Sequence, residues 1–143
     1  MPCACADSSA IVSCFKSVLL LDDNEDDNFI HRRYIKRTQW ADELVVFEEA
    51  ERALDYLMTH ADLPELMLID VNMPVMSGFQ LLDKLQEAGV DLSSTGVVMV
   101  TSSIHPDDCR RAADHPLVDD YINKPINAEV LIALAERIKG RNK

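Results

Sequence analysis

Asp22, Asp23, Asp70, Thr101 and Lys124 each close, or closely follow, a short apolar run. Ser17–Leu21 ends in the acidic pair, Leu66–Ile69 ends in Asp70, Gly96–Val100 ends in Thr101, and Lys124 comes just after Val118–Ile122. If a fold gathers the run ends, three carboxylates meet. Such a cluster repels itself and raises at least one pKa unless a cation neutralises it. All-oxygen ligands suit a hard divalent ion. Magnesium is the natural candidate, because it takes one or two carboxylates and keeps coordination positions for water and phosphate oxygens. Lys124 adds a positive charge and Thr101 a hydroxyl donor for the same group. Acid, metal, ammonium and hydroxyl together describe phosphoryl transfer.

The elements that must position these residues are legible as alternating strands and helices. The apolar runs are too short for helices and lack polar alternation, as strands covered on both faces should. Ser17–Asp22, Leu44–Phe47, Leu66–Asp70, Gly96–Thr101 and Val118–Ile122 are predicted strands. Between them lie helical patterns. Phe29, Ile30, Tyr34 and Ile35 mark a first helix within Glu25–Arg37. Ala50, Ala53, Leu54, Leu57 and Met58 form one face of a second. Leu81, Leu82 and Leu85 mark a third, after a loop holding Pro74 and Gly78. A fourth begins near Pro106 and carries Cys109, Ala112 and Ala113 on its apolar side. The last follows Asn127, a predicted cap, with Val130, Leu131, Leu134, Ala135 and Ile138 as its buried stripe. Strand and helix alternate five times. This order predicts an α/β fold with right-handed crossovers and a mainly parallel, doubly wound sheet. Ligands in such folds bind outside the carboxyl ends of the strands.

Composition narrows the function. The 143 residues suffice for one domain of ordinary size. A formal net charge of -11 predicts that nucleic acid and anionic membranes are repelled. The longest apolar runs are a handful of residues, whereas a spanning helix needs about 20. Cys3, Cys5, Cys14 and Cys109 follow neither a disulfide nor a zinc spacing, which is read as a reducing, cytoplasmic setting. Residues 1–16 lack the basic and apolar regions of a signal peptide and are read as a flexible N-terminal extension. Cys3 and Cys5 could catch a metal or oxidise, but no function is assigned to them. The domain is expected over residues 17–143.

Four segments carry a resemblance: Leu21-Asp22-Asp23-Asn24, Leu68 to Gly78 (LIDVNMPVMSG), Met99-Val100-Thr101-Ser102, and Tyr121-Ile122-Asn123-Lys124-Pro125. Each alone is weak. In this order, each at a strand end, they resemble the signatures of bacterial two-component response regulator receiver domains over about residues 17–139. The resemblance implies a flavodoxin-like five-stranded parallel sheet, order 2-1-3-4-5, with five helices. It implies that Asp70 accepts a phosphoryl group from a phosphohistidine on a sensor histidine kinase or histidine phosphotransfer protein. The metal set would be Asp22, Asp23, Asp70 and the backbone carbonyl of Asn72. Thr101 and Tyr121 would form the switch, and Lys124-Pro125 resembles the family's cis-peptide site. Helix 4, strand 5 and helix 5 would form the face that changes, and also a possible homodimer contact.

After Pro125 one helix and a short basic tail remain, so a stand-alone, chemotaxis-regulator-like receiver is expected. It would relay phosphoryl groups or bind an unknown downstream target when phosphorylated. It would be no enzyme beyond intrinsic autophosphatase activity. A phosphorylation-independent scaffold is the alternative. An aspartyl phosphatase of haloacid-dehalogenase type would place D-x-D after the first strand, which Asp22-Asp23-Asn24 does not. The remaining features have plain readings. His31, His60, His105 and His115 are expected to be exposed or capping, Cys109 to lie in the core, and Glu25-Asp26-Asp27 to complement a helix dipole. Residues 113–120 replace the Gly-Ala turn of many relatives and predict a longer or stiffer loop.

Overall fold

The computed structural model describes residues 15–141 except 60–62, 72, 74, 75, 93, 102–105 and 125, with side chains left undescribed at 106–109 and 139–141. The elements are β1 (Phe15–Leu21), α1 (Glu25–Arg37), β2 (Ala41–Phe47), α2 (Ala50–Thr59), β3 (Leu66–Asp70), α3 (Gly78–Glu87), β4 (Gly96–Thr101), α4 (Pro106–Asp114), β5 (Asp120–Asn123) and α5 (Ala128–Arg141). The sheet is parallel throughout, in the order β2-β1-β3-β4-β5. The predicted doubly wound fold is therefore present. The N-terminal extension before residue 15, the Asn72 ligand, the Lys124–Pro125 peptide and the Cys109 side chain lie outside the described residues.

Every residue of β3 and β4 is buried, which explains their unbroken apolar sequences. Period-2 alternation then divides the sheet between two cores. Leu19, Leu21, Met67, Ile69, Val97 and Met99 face α2 and α3. Val18, Leu20, Leu66, Leu68, Val98 and Val100 face Ile35 of α1 and Leu131, Leu134 and Ile138 of α5. Ala112 of α4 joins the first cluster.

Two strands start earlier than the apolar pattern indicates. β1 begins at Phe15, whose buried ring meets Trp40 edge-on at 4.8 Å. β2 begins at Ala41, because backbone pairing with β1 takes in the polar Asp42 and Glu43 of this edge strand. β5 is shorter and shifted, running from Asp120 to Asn123. The stripes of α3 and α5 lie where the sequence predicts, and α2 buries Ala50, Ala53 and Leu57 but leaves Met58 exposed. The predicted face of α1 is corrected: Phe29 and Ile30 are exposed, and the helix buries Asn28, His31 and Ile35, because the side facing the sheet is set by where Ile35 packs and not by the count of apolar residues. Asn127 does cap α5, its Oδ1 accepting from the Val130 N–H at 2.9 Å.

Candidate functional site

Strand register assembles the site. Leu21 pairs with Ile69, Asp70 with Val100, and Thr101 with Asn123, so the next residues along β1, β3, β4 and β5 crowd one edge of the sheet. Three backbone bonds fix the emerging chains: Asp22 N–H to Phe47, Val71 N–H to Val100, and Lys124 N–H to Thr101. The edge includes the point between β1 and β3 where the winding direction reverses.

Asp22 and Asp70 are buried at 1% and 5% exposure, while Asp23 is exposed. One carboxylate oxygen from each of the three lies within 4.8 Å of the others. This donor set, all oxygen and open to solvent on one side, fits a hard divalent cation held by Asp22, Asp23 and Asp70. The expected three acids therefore do come together.

Lys124 reaches into the same space. Its Nζ is 2.6 Å from Asp22 Oδ2, 2.9 Å from Asp27 Oδ2 and 3.7 Å from Asp70 Oδ2. Burial works to push the ammonium pKa down. Hydrogen bonds to Asp22 and Asp27, with the charges of Asp70 and Asp22, outweigh it and hold the pKa above the ordinary lysine value. Lys124 is thus a fixed cation beside Asp70.

Asp27 is a site residue that the sequence reading missed. Its first-turn position in α1 suits the helix dipole as expected, yet its side chain also grips Lys124. The signal was weak because the partners are 97 positions apart. The turn around them is built from Asn24 and Asp22. Asn24 caps α1, its Oδ1 accepting from the Asp27 N–H at 3.0 Å. Asp22 Oδ1 accepts from the Asn24 N–H at 2.9 Å, and Asn28 Nδ2 donates to the Asp22 carbonyl at 2.8 Å. Both Asp22 oxygens are oriented before any ligand arrives.

His31 corrects an expectation. Its ring is buried at 1% exposure on the inner side of α1, and Nδ1 has no partner among the described residues. Asn28 Oδ1, one turn earlier, is likewise buried without one. Burial drives the His31 pKa below 6.5, with Lys124 adding to the fall and Asp22 and Asp27 opposing it. The helical spacing of polar residues reads as a solvated face, but here part of that face turns under the acidic pocket.

On the α3 side, Gly78 permits a close approach. Its N–H donates to the Val71 carbonyl at 3.0 Å, and a Cβ at this position would lie 2.5 Å from the Asp70 carbonyl oxygen. Ser77 and Gln80 form a reciprocal capping box that starts the helix there.

Thr101 is fully buried and Tyr121 half-buried. Tyr121 pairs with Met99, two residues before Thr101, so the two switch candidates share a sheet face. The loop after α4 is pinned. His115 Nδ1 accepts from the Leu117 N–H, which leaves Nε2 as the proton-bearing nitrogen facing Asp83 at 2.9 Å. The His115 ring stacks on Phe79, and the Arg111 guanidinium lies over the same ring at 4.3 Å from its centroid.

Comparison with known proteins agrees with this geometry. The family model described as response regulator receiver domain matches residues 18–136. The chain is 30% identical over 126 residues to the "Probable methanogenesis regulatory protein FilR2" of Methanothrix harundinacea, covering 85% of this chain and 80% of that one. It is 26% identical to the response regulator Rcp1 of Synechocystis, covering 87% of each. Among solved structures, a two-component response regulator from Cytophaga hutchinsonii superposes with a TM-score of 0.79 at 28% identity, covering 89% of this chain and 98% of that one. The chain belongs to the response regulator receiver domain family.

Proposed function

We propose that Asp70 is the phosphoacceptor and that the protein signals through the acyl phosphate formed there. The observation that supports this most strongly is the meeting of Asp22, Asp23 and Asp70 within 4.8 Å, with the Lys124 ammonium 3.7 Å from Asp70. An Asp70 carboxylate oxygen would attack phosphorus as the bond to a histidine imidazole breaks, the electron pair leaving with the imidazole nitrogen. The donor is a sensor histidine kinase or a histidine phosphotransfer protein.

Magnesium held by Asp22, Asp23 and Asp70 would supply positive charge to the phosphoryl oxygens. Lys124 neutralises charge on the same group. Its position is set by the carboxylates already bonded to it, so transfer needs little reorganisation. Asp70, at a buried strand end, presents its carboxylate from a rigid backbone.

Thr101 reads the outcome. Its hydroxyl would donate to a phosphoryl oxygen, and the half-buried Tyr121 on the same face would follow into the space opened. The face made by α4, β5 and α5 then presents a different surface to a partner protein or to the next phosphotransfer step. Phosphate drives this change only through its differential contacts with two arrangements already in equilibrium.

The test is intact mass after incubation with acetyl phosphate, with and without magnesium, on the wild type and Asp70→Asn. One magnesium-dependent phosphoryl adduct on the wild type and none on the variant is the expected result. Equal labelling of both removes Asp70 from the role.

A further inference from the structure

We infer that Asp27 is a positioning residue that keeps Lys124 in the pocket when Asp22 and Asp70 are engaged by a cation; the inference rests on the phosphoacceptor reading of Asp70. Among the described residues, Lys124 forms ion pairs with three carboxylates, Asp22 at 2.6 Å, Asp27 at 2.9 Å and Asp70 at 3.7 Å. Two of the three, Asp22 and Asp70, belong to the group whose oxygens converge closely enough to hold a metal, and Asp27 does not. Once Asp22 and Asp70 share their charge with a divalent ion, they attract the ammonium less, and a second cation now stands beside it. Asp27 is the carboxylate that still holds Lys124 in the state from which transfer occurs.

The structure around Asp27 suits an anchor. It sits in the first turn of α1, its backbone N–H bonded to the capping Asn24 side chain, and the adjacent Asn28 ties the same turn to the Asp22 carbonyl. Lysine is a flexible point charge with three donor hydrogens. Committing one hydrogen to Asp27 fixes where the others point and restricts a stem that otherwise samples many rotamers. One hydrogen stays directed towards the Asp70 side. Asp27 does not touch the reacting atoms and acts through Lys124.

The experiment compares wild type, Asp27→Asn and Asp27→Glu in two assays. In the first, acetyl phosphate labels Asp70: the carboxylate oxygen bonds to phosphorus while the bond to acetate breaks, the electron pair leaving with acetate. At saturating magnesium, Asp27→Asn is expected to label about tenfold more slowly, with the half-saturating magnesium concentration within about threefold of wild type. In the second, Lys124 is acetylated with N-hydroxysuccinimide acetate and quantified by peptide mapping. Without metal, Asp22 still holds the ammonium and the variant gains little reactivity. With magnesium, Lys124 of Asp27→Asn is expected to react about tenfold faster than in the wild type. Asp27→Glu, which keeps the charge on a longer stem, restores most of both.

Equal protection of Lys124 in wild type and Asp27→Asn under magnesium overturns the inference. So does a half-saturating magnesium concentration that rises in proportion to the lost rate, which would place Asp27 on the metal. A Glu variant as impaired as Asn overturns it as well. Thermal melts confirm that the variants are folded, as expected for a side chain one-third exposed at a helix start. The acetylation assay requires no transfer, so its result stands apart from a failure of the wild type to label, which would strike the phosphoacceptor reading itself.

Discussion

Protonating His31 would put a cation into the closed interior beneath α1, with no hydrogen-bonded carboxylate among the described residues. Burial holds the folded pKa below the ordinary 6.5, so in the unfolded chain the ring takes up a proton at higher pH than in the folded one. The unfolded state then binds more protons in the window from 6.5 downwards to the folded value, and stability falls as pH falls through it. Urea melts between pH 7 and pH 5 should show this slope, above the range where most carboxylates titrate. His31→Leu should flatten it. A wild-type slope retained in the variant would remove His31 from the account. At this scale the sequence was informative about types and poor about facing. Asp22, Asp23, Asp70, Thr101 and Lys124 were legible because a strand end is marked by where an apolar run stops. Asp27 and His31 were not, because a polar residue in an amphipathic helix looks solvated whether or not a distant lysine or an acidic pocket closes over it.

Helix ends show how local chemistry sets the elements. α1 and α3 both finish in the same six-residue pattern of bonds. Trp40 N–H reaches Ile35 and Gln39 N–H reaches Lys36 at the end of α1, while Val90 N–H reaches Leu85 and Gly89 N–H reaches Gln86 at the end of α3. Each needs one residue at positive φ. Gly89 adopts 79° without a side-chain penalty, whereas Gln39 adopts 52° with one. Gln39→Gly should therefore stabilise the protein by about 0.5–1 kcal/mol, the relief of left-handed strain being partly offset by glycine's greater freedom when unfolded. Chemical denaturation would show it as a higher midpoint with an unchanged slope. Element identity was readable from periodicity, as in the Ala50, Ala53, Leu57 stripe of α2. Element limits were not, since Asp42 and Glu43 join β2 through backbone bonds that carry no side-chain signature.

As a whole, the molecule carries a formal charge of -11, with three acids converging at one sheet edge. Dilute buffer leaves this repulsion unscreened, and salt relieves it over a Debye length of about 8 Å at 0.15 M. Magnesium should do more than screen. A site present only in the folded state adds about 2.7 kcal/mol at 100 times its Kd. Thermal melts with magnesium against sodium chloride of equal ionic strength should separate the two contributions, and Asp23→Ala should retain only the screening part. Identical curves for both salts in the wild type would argue against a specific site. The parallel sheet covered on both faces followed from the alternation of elements, whereas its strand order was implied only by the family resemblance. By the same charge pattern, a partner docking near the acidic edge gains by bringing cations.

Trp40 is the chain's one tryptophan, buried, with its indole N–H donating to the Leu131 carbonyl of α5 at 2.7 Å. It belongs to the core on the α1 and α5 side of the sheet, whereas Tyr121 packs against the core on the other side. Its fluorescence is thus a single-site optical reporter of how α5 is seated. A shift in emission when Asp70 is loaded would mean that the event had crossed the sheet, and constant emission would mean that it stays on the face where it began.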